Sequence, residues 1–436
     1  MRRLPEPGAQ PGLDPGRAAL VRLVRDEGRR VLATLVRTTG SLPLAEDAVQ
    51  DAVVRALETW PRTGVPAEPR GWLTLTARRR AIDLLRREAM RVGKEIDAVA
   101  LLDPDDDPPA PDVVVDDLLR LLFICCHPSL ALETQVALAL RTLCGLSTAE
   151  VARALLLPEA TAAKRLTRAR RKIAVARIPY RVPPAAELPA RLRAVTATVY
   201  LVFTEGHSAT DGDDPLRAEL TDEALRLARL LHQLLPDEAA VLGLLALLLL
   251  TDARRAARLD PAGEPVLLAD QDRGRWDRDA VREGVELLGR ALRRTPDRPD
   301  PYVAQAAIAA CHDLAPSWSA TDWAAIVSWY DVLVTVADTP VVRLNRAVAV
   351  GERDGAAAGL AELDLLAGLP GLSAYPPWCA ARAELLVRVG RRTEALTAYD
   401  EALALPGNAA QHRHLLRRRA LAAAVQESVP GPRRRR

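Results

Sequence analysis

Apolar residues recur at helical spacing along most of the chain, and the pattern is clearest between residues 145 and 177. Ser147 and Glu150 form a capping box, in which each side chain satisfies a backbone amide of the other, so a helix begins there. Leu157-Pro158 interrupts it, because a residue before proline avoids the α region and proline suits the first turn of a new helix. The second helix has one apolar stripe, formed by Ala162, Leu166, Ala169 and Ile173.

Earlier segments predict three more helices. Residues 17–38 and 44–60 predict a packed pair, and residues 71–91 predict a third helix with a basic flank. In the helix predicted at residues 44–60, the inward-facing residues are Val49, Val53, Ala56, Leu57 and Trp60. Beyond residue 190 helical patterns continue, and the apolar run 239–250 is too short to span a bilayer, so it predicts a buried core helix.

Composition supports an all-α fold divided into several domains. Hydrophobic residues form 49% of the 436 residues and aromatic residues only 3%, and this length suits about three domains. We predict a flexible tail (1–16), a first helical domain (17–93), an acidic linker (94–117) and a second domain (118–177). A proline-rich hinge (178–189), a helical extension (190–297), a repeat region (298–424) and a basic tail (425–436) follow.

The repeat region has a period of 36 residues. Ala347, Gly359 and Leu363 recur as Ala383, Ala395 and Tyr399. This period and the small residues approximate a tetratricopeptide repeat (TPR), in which small side chains let paired helices approach closely. Stacked pairs of this kind form a groove for a protein or peptide, or a surface that packs on the protein's own domains.

Charge is segregated along the chain, although the net charge is only +3. Residues 95–117 contain nine carboxylates and no basic residue, whereas residues 160–181 contain eight basic residues and no acidic one. A helix, a tight turn and a basic second helix predict a helix-turn-helix that places its second helix in the major groove. The alternative is a solvated charged helix. The DNA-facing residues are predicted to be Thr161, Lys164, Arg165, Arg168, Arg171 and Lys172.

Cysteine usage predicts no metal site. The five cysteines include no CxxC pair, and Cys125, Cys126 and His127 with distant Cys144 have poor spacing for zinc. We therefore expect core residues there and no metal or cofactor. The absence of a signal peptide and of a membrane span predicts a cytoplasmic protein that contacts no membrane.

Three motifs in order resemble extracytoplasmic-function (ECF) RNA polymerase sigma factors of bacteria. Leu157-Pro158, Thr161 and the run 165–170 resemble their promoter-reading domain. The run EDAVQDAVVRAL (46–57) resembles the helix that grips the β′ clamp helices of the polymerase, and residues 72–87 resemble the helix that reads the minus-ten element. Segments 118–130, 199–214 and 270–279 resemble a subgroup with a long helical C-terminal extension.

The resemblance implies partners and site residues. Core RNA polymerase, through its β′ clamp helices and β flap, and promoter DNA are the implied partners, and no covalent chemistry or cofactor is implied. Core contact falls on Asp47, Gln50 and Asp51, and the groove residues above read the minus-thirty-five element. The implied minus-ten residues are Trp72, Arg78, Arg79, Asp83, Arg86 and Arg87.

Two alternatives belong to other functional classes. One is a helix-turn-helix regulator that acts without polymerase. The other is a TPR-type scaffold, or an enzyme, built on the C-terminal half. An enzyme could use a cluster of acids, bases or ligands in two stretches: Glu205, His207, Asp211, Asp270 and Asp272. Nothing in the sequence joins those stretches, so salt bridges and loop caps are the favoured reading and no catalytic residue is predicted.

Overall fold

The computed structural model describes most of the chain. The described residues are 15–92, 117, 120–143, 145–155, 157–176, 180, 183–184, 187–208, 215–369, 372, 375–405 and 408–424. The predicted acidic linker and C-terminal tail lie almost wholly outside them, as does Asp211. Within the described residues the regular structure is helical apart from an isolated bridge between Leu259 and Pro265, so the predicted all-α class is confirmed.

The chain divides into two compact units, Met1–Thr198 and Val199–Arg436. The helices of the first unit are α1 (Pro15–Thr39), α2 (Leu42–Thr63), α3 (Pro69–Val92), α4 (120–125), α5 (Leu132–Thr142), α6 (Thr148–Ala154) and α7 (Glu159–Val175). The unit boundary falls inside α8 (Leu188–His207).

Helices α1, α2 and α3 pack against one another, and small residues line the middle of that core. The buried stripe of α2 contains Ala45, Ala48, Ala52 and Ala56, which allow close helix approach, and it ends at buried Trp60. Leu57 is 38% exposed, so its predicted inward position is wrong. The buried stripe of α2 instead passes through Ala56, one position before Leu57.

The helix-turn-helix has the local structure that its sequence predicts. The backbone amide of Ser147 donates to Glu150 Oε2 at 2.7 Å, and the amide of Glu150 donates to Ser147 Oγ at 3.1 Å. Helix α6 ends before Pro158, which is the N-cap of α7. The four apolar residues predicted for the inner stripe of α7 are all buried.

The second unit continues with α9 (Ala218–Leu234), α10 (Ala239–Asp252), α11 (Arg278–Arg294), α12 (Pro301–Leu314), α13 (Trp323–Val336), α14 (Pro340–Arg353), α15 (Ala356–Asp364), α16 (Pro376–Arg388), α17 (Arg392–Ala404) and α18 (Ala409–Ala424). Short 3-10 turns occupy Arg255–Ala257, Leu268–Asp270, Arg273–Arg275 and Trp318–Ala320. Helix α10 is buried from Val241 to Leu250, as predicted. None of the helices within the described ranges is long and apolar enough to cross a membrane.

Small residues let α14 and α15 approach closely. A Cβ atom added to Gly359 would lie 2.7 Å from Gly351 Cα and 2.9 Å from the carbonyl oxygen of Ala347. The repeating positions Ala347, Leu363, Ala383, Ala395 and Tyr399 are almost completely buried in one cluster. The 36-residue pattern therefore records core positions of successive helices.

Candidate nucleic-acid interface

A basic groove runs between the start of α5 and one side of α7. Leu130, Ala131 and Thr134 form one wall. The other wall is formed by Thr161, Lys164, Arg165, Arg168, Ala169 and Lys172. Five of the six residues predicted to read DNA thus line one groove.

Arg171 and Lys172 differ from the other predicted DNA-facing residues. Arg171 is exposed but does not line the basic groove. The ammonium of Lys172 donates to the carbonyl oxygen of Ser129, which ties the end of α7 to the turn before α5. Lys172 therefore has a positioning role in addition to its charge.

The predicted minus-ten residues lie along α3. Arg79, Asp83, Arg86 and Arg87 are exposed, and Arg78 is half-buried. Trp72 is half-buried because its ring meets Trp60 edge to face, with centroids 5.5 Å apart. This aromatic pair fixes the first turns of α3 on α2, so the basic residues that follow stand on a rigid support.

The residues predicted to contact polymerase form an acidic face on α2. Asp47, Gln50 and Asp51 are all exposed and one helical turn apart, as expected. Asp51 also forms an ion pair with Arg80 of α3. A substitution at Asp47 therefore tests the acidic face without breaking the ion pair between Asp51 and Arg80.

One polar contact between distant segments was not predicted from the sequence. Glu46 Oε2 lies 2.6 Å from Arg170 Nε, which joins α2 to α7 across 124 residues. Burial raises the pKa of Glu46, and the charge of Arg170 opposes that rise. No local sequence signal identifies such a pair, because each residue alone has the pattern of an ordinary surface position.

Two of the side chains that could serve an enzyme site, Glu205 and Asp272, form structural contacts. Glu205 faces Arg217 at 3.8 Å, and Asp272 accepts from the amide of Gly274 at 2.8 Å. Burial lowers the pKa of His207 to about 2, and the nearby arginines add to that effect. Burial also raises the pKa of Cys126 to about 12. No cluster of potential metal ligands occurs among the described residues.

The motif at 270–279 is an internal structural element of the second unit. Arg273 Nη1 donates to the carbonyl oxygens of His312 and Ala315, at 2.6 and 2.9 Å, and so caps the end of α12. Its guanidinium also lies 4.5 Å from the ring centre of buried Trp276. Asp277 caps α11 by accepting from two amides.

Comparison with known families divides the chain in the same order as its motifs. Residues 23–91 match Sigma-70 region 2, residues 120–173 match Sigma-70 region 4, and residues 191–292 match a family of unknown function, DUF6596. The ECF RNA polymerase sigma factor SigL of Mycobacterium tuberculosis is 34% identical over 153 residues, which cover 34% of this chain and 84% of SigL. The chain belongs to the ECF RNA polymerase sigma factors.

Two other relatives show how the extension is distributed among similar proteins. The probable ECF sigma factor SigI of M. tuberculosis is 31% identical over 34% of this chain and 52% of its own length. An uncharacterized protein of Rhizobium meliloti is 43% identical over 88% of this chain and 92% of its own. The segment that forms the long helical extension of this sigma factor is therefore shared with a relative. The sigma factor family is a family of transcription initiation factors and not an enzyme class.

Proposed function

We propose that this sigma factor binds core RNA polymerase and directs it to promoters through three surfaces of its first unit. The acidic face of α2 contacts the β′ clamp helices, α3 contacts the melted minus-ten strand, and α7 enters the major groove at the minus-thirty-five element. The domain of α4–α7 would also contact the β flap. The observation that carries this proposal is the basic groove, where five predicted DNA-facing residues converge on one wall.

The charges of these surfaces suit their proposed partners. Phosphate contacts by Lys and Arg supply affinity for DNA, and side chains on a helix in the major groove supply base readout. On α3, exposed arginines suit single-stranded phosphates, and the Trp60–Trp72 pair supports that surface. On α2, exposed carboxylates suit basic residues of a protein partner.

We further propose that the extension regulates the first unit and presents a TPR-like groove to a protein or peptide. Because the extension is covalently attached, its effective concentration near the first unit is high. The 270–279 motif supports this role indirectly, since it caps α11 and α12 and so stabilises the extension itself.

In-vitro transcription tests the main proposal. Purified full-length protein, added to core polymerase and a genomic DNA library, is expected to produce transcripts with defined start sites. Promoter binding that persists without any polymerase-dependent transcript would instead favour a regulator that acts alone.

A further inference from the structure

Helices α2 and α7 are held together by a charged contact that belongs to neither promoter-reading surface. The carboxylate of Glu46 lies 2.6 Å from Arg170 Nε, and Arg170 Nη2 donates to Glu46 Oε1 at 3.3 Å. Thr142 of α5 donates to the same oxygen at 3.4 Å. The Glu46 side chain is only 14% exposed. Arg170 thus points toward α2, whereas Arg168 lines the basic groove.

A second set of contacts joins the same two regions near α1. Arg37 Nε donates to Asp117 Oδ2 at 2.9 Å, and the Asp117 side chain is fully buried. The hydroxyl of Tyr180 lies 2.9 Å from the carbonyl oxygen of Ala33 and 2.8 Å from that of Asp117. The region of α1–α3 therefore contacts α7 and α5 at one place, and at another it contacts Asp117 and Tyr180, which flank the segment α4–α7.

This packing cannot span a promoter. Elements at minus ten and minus thirty-five are about 25 base pairs apart, or about 85 Å along B-DNA. Helices α3 and α7, the two proposed readers, have 24 and 17 residues, so even end to end they would span about 62 Å. Helix α3 packs along α2, so α3 and α7 cannot reach both elements while Glu46 and Arg170 remain in contact.

We propose that the Glu46–Arg170 pair is a latch that holds this sigma factor in a closed state before it binds polymerase. The proposal rests on the proposed function, because only a reader of two separated elements needs to open. Glu46 directly precedes Asp47 of the acidic face, so the latch and the proposed polymerase contact share one turn of α2. Polymerase binding at that turn releases α7 for the minus-thirty-five element.

An ion pair suits a latch that has to open. Its two charged groups regain water when they separate, whereas an apolar contact of the same size would expose hydrophobic surface. Removing only one partner leaves the other charge partly buried against the interface, which disfavours the closed state. Exchanging both charges restores the attraction.

The test measures the closed state directly, without polymerase. Two dyes are attached through unnatural amino acids at exposed positions Arg55 on α2 and Ala174 on α7, and single-molecule energy transfer is recorded in the full chain. Glu46→Gln is expected to raise the ratio of open to closed molecules about tenfold, which corresponds to about 1.4 kcal/mol. The paired exchange Glu46→Arg with Arg170→Glu is expected to restore wild-type transfer, and Glu58→Gln, an exposed position on α2, serves as the matched control.

The same variants are then compared in association with core polymerase. Glu46→Gln is expected to associate several-fold faster than wild type, and the exchanged pair at the wild-type rate. Unchanged energy transfer in Glu46→Gln would overturn the latch, and so would more open molecules without faster association. If the wild-type protein directs no transcription, the proposed function fails, while the energy-transfer comparison still decides whether the pair holds the two regions together.

Discussion

Neighbouring arginines on α7 have different surroundings, and this separates their expected roles. Arg165 and Arg168 line the basic groove, Arg170 contacts Glu46, and Arg171 is exposed outside the groove. A stretch of basic residues in the sequence therefore contains groove-lining, structural and solvent-exposed positions.

Replacing Arg165 or Arg168 with alanine is expected to weaken promoter binding by about 1–3 kcal/mol where the side chain reads a base. Where it contacts only phosphate, the dependence of affinity on salt is expected to fall by about one unit of slope. Fluorescence anisotropy with a promoter duplex over a range of salt concentrations measures both. Arg193→Ala, an exposed arginine on α8, is the control; wild-type affinity and slope in both α7 variants would remove α7 from the interface.

The acidic face can be tested at Asp47, which has the simplest surroundings. Asp47→Lys is expected to reduce co-purification with core polymerase at least tenfold while helicity stays unchanged, because an attractive charge becomes a repulsive one at the interface. The double reversal with Asp51 should abolish association, although it also breaks the pair with Arg80. Glu133→Lys, exposed on α5, makes the same charge change elsewhere; equal recovery of core enzyme with Asp47→Lys would show that docking occurs at another site.

Two largely buried histidines are expected to make the second unit sensitive to acid. Burial lowers the pKa of His207 to about 2 and that of His312 to about 4. Below about pH 6.5 the unfolded chain binds protons there that the folded chain does not, so the free energy of unfolding falls by roughly 1.4 kcal/mol per pH unit for each histidine. Asp313 opposes this loss of stability between about pH 6 and 4. Burial raises the pKa of its carboxyl group to about 6, so in that range the folded chain binds a proton there more readily than the unfolded chain does.

His207→Gln is expected to remove the contribution of one histidine, about 2 kcal/mol of the stability lost between pH 6.5 and 5. Urea denaturation of the full chain, followed by tryptophan fluorescence at several pH values, measures the difference from wild type. Identical pH dependence in the two proteins would mean that His207 is protonated in the folded state.

At the scale of helices, local signals were sufficient for some elements and not for others. The capping box at Ser147 and the apolar stripe of α7 depend on residues within four positions of one another, so the sequence predicts them. The sequence places Leu57 on the inner face of α2, which is wrong, because apolar residues occupy two neighbouring stripes of this helix. The structure buries the stripe of Ala48, Ala52 and Ala56 and leaves Leu57 exposed. The cap that Arg273 provides for α12 and the Glu46–Arg170 pair join distant segments, which periodicity does not reveal.

The close approach of α14 and α15 gives a test of helix packing in the repeat region. Gly359→Ala is expected to destabilise the protein by about 1–3 kcal/mol, because the new methyl group would force the backbone at Gly351 away. Gly368→Ala is a matched control, since a Cβ there meets nothing within 4 Å. Thermal denaturation of the three proteins measures the difference; equal stability of both variants would show that α15 shifts without cost.

At the scale of the whole molecule, the role of the extension is open to a direct comparison. A chain that stops after Ser208 keeps all of α8, including Leu192 and Val195, which are buried. We expect it to be folded and to bind promoter DNA but to produce much less run-off transcript than the full chain, because the extension is proposed to regulate the first unit by ordering it for polymerase.

Circular dichroism and promoter binding are the controls for the shortened chain. Transcription equal to that of the full chain would make the extension a passive attachment, and higher transcription would make it an inhibitor. Either result leaves the assignment to the sigma factor family unchanged, since that rests on residues 23–91 and 120–173.

Helix α8 has a consequence for the order in which the protein is made. Arg191 Nη1 donates to the carbonyl oxygen of Phe123 at 3.3 Å. Burial raises the pKa of Cys126, and its hydrogen bond with the side chain of Thr198 opposes that rise. The inner surface of α4 is thus covered by residues that follow α7 in the chain. During synthesis from the N-terminus, the DNA-binding region stays incomplete until the ribosome has passed it and begun the extension. The ribosome therefore completes the DNA-binding region only after it has begun to synthesise the extension, which is the segment proposed to control that region.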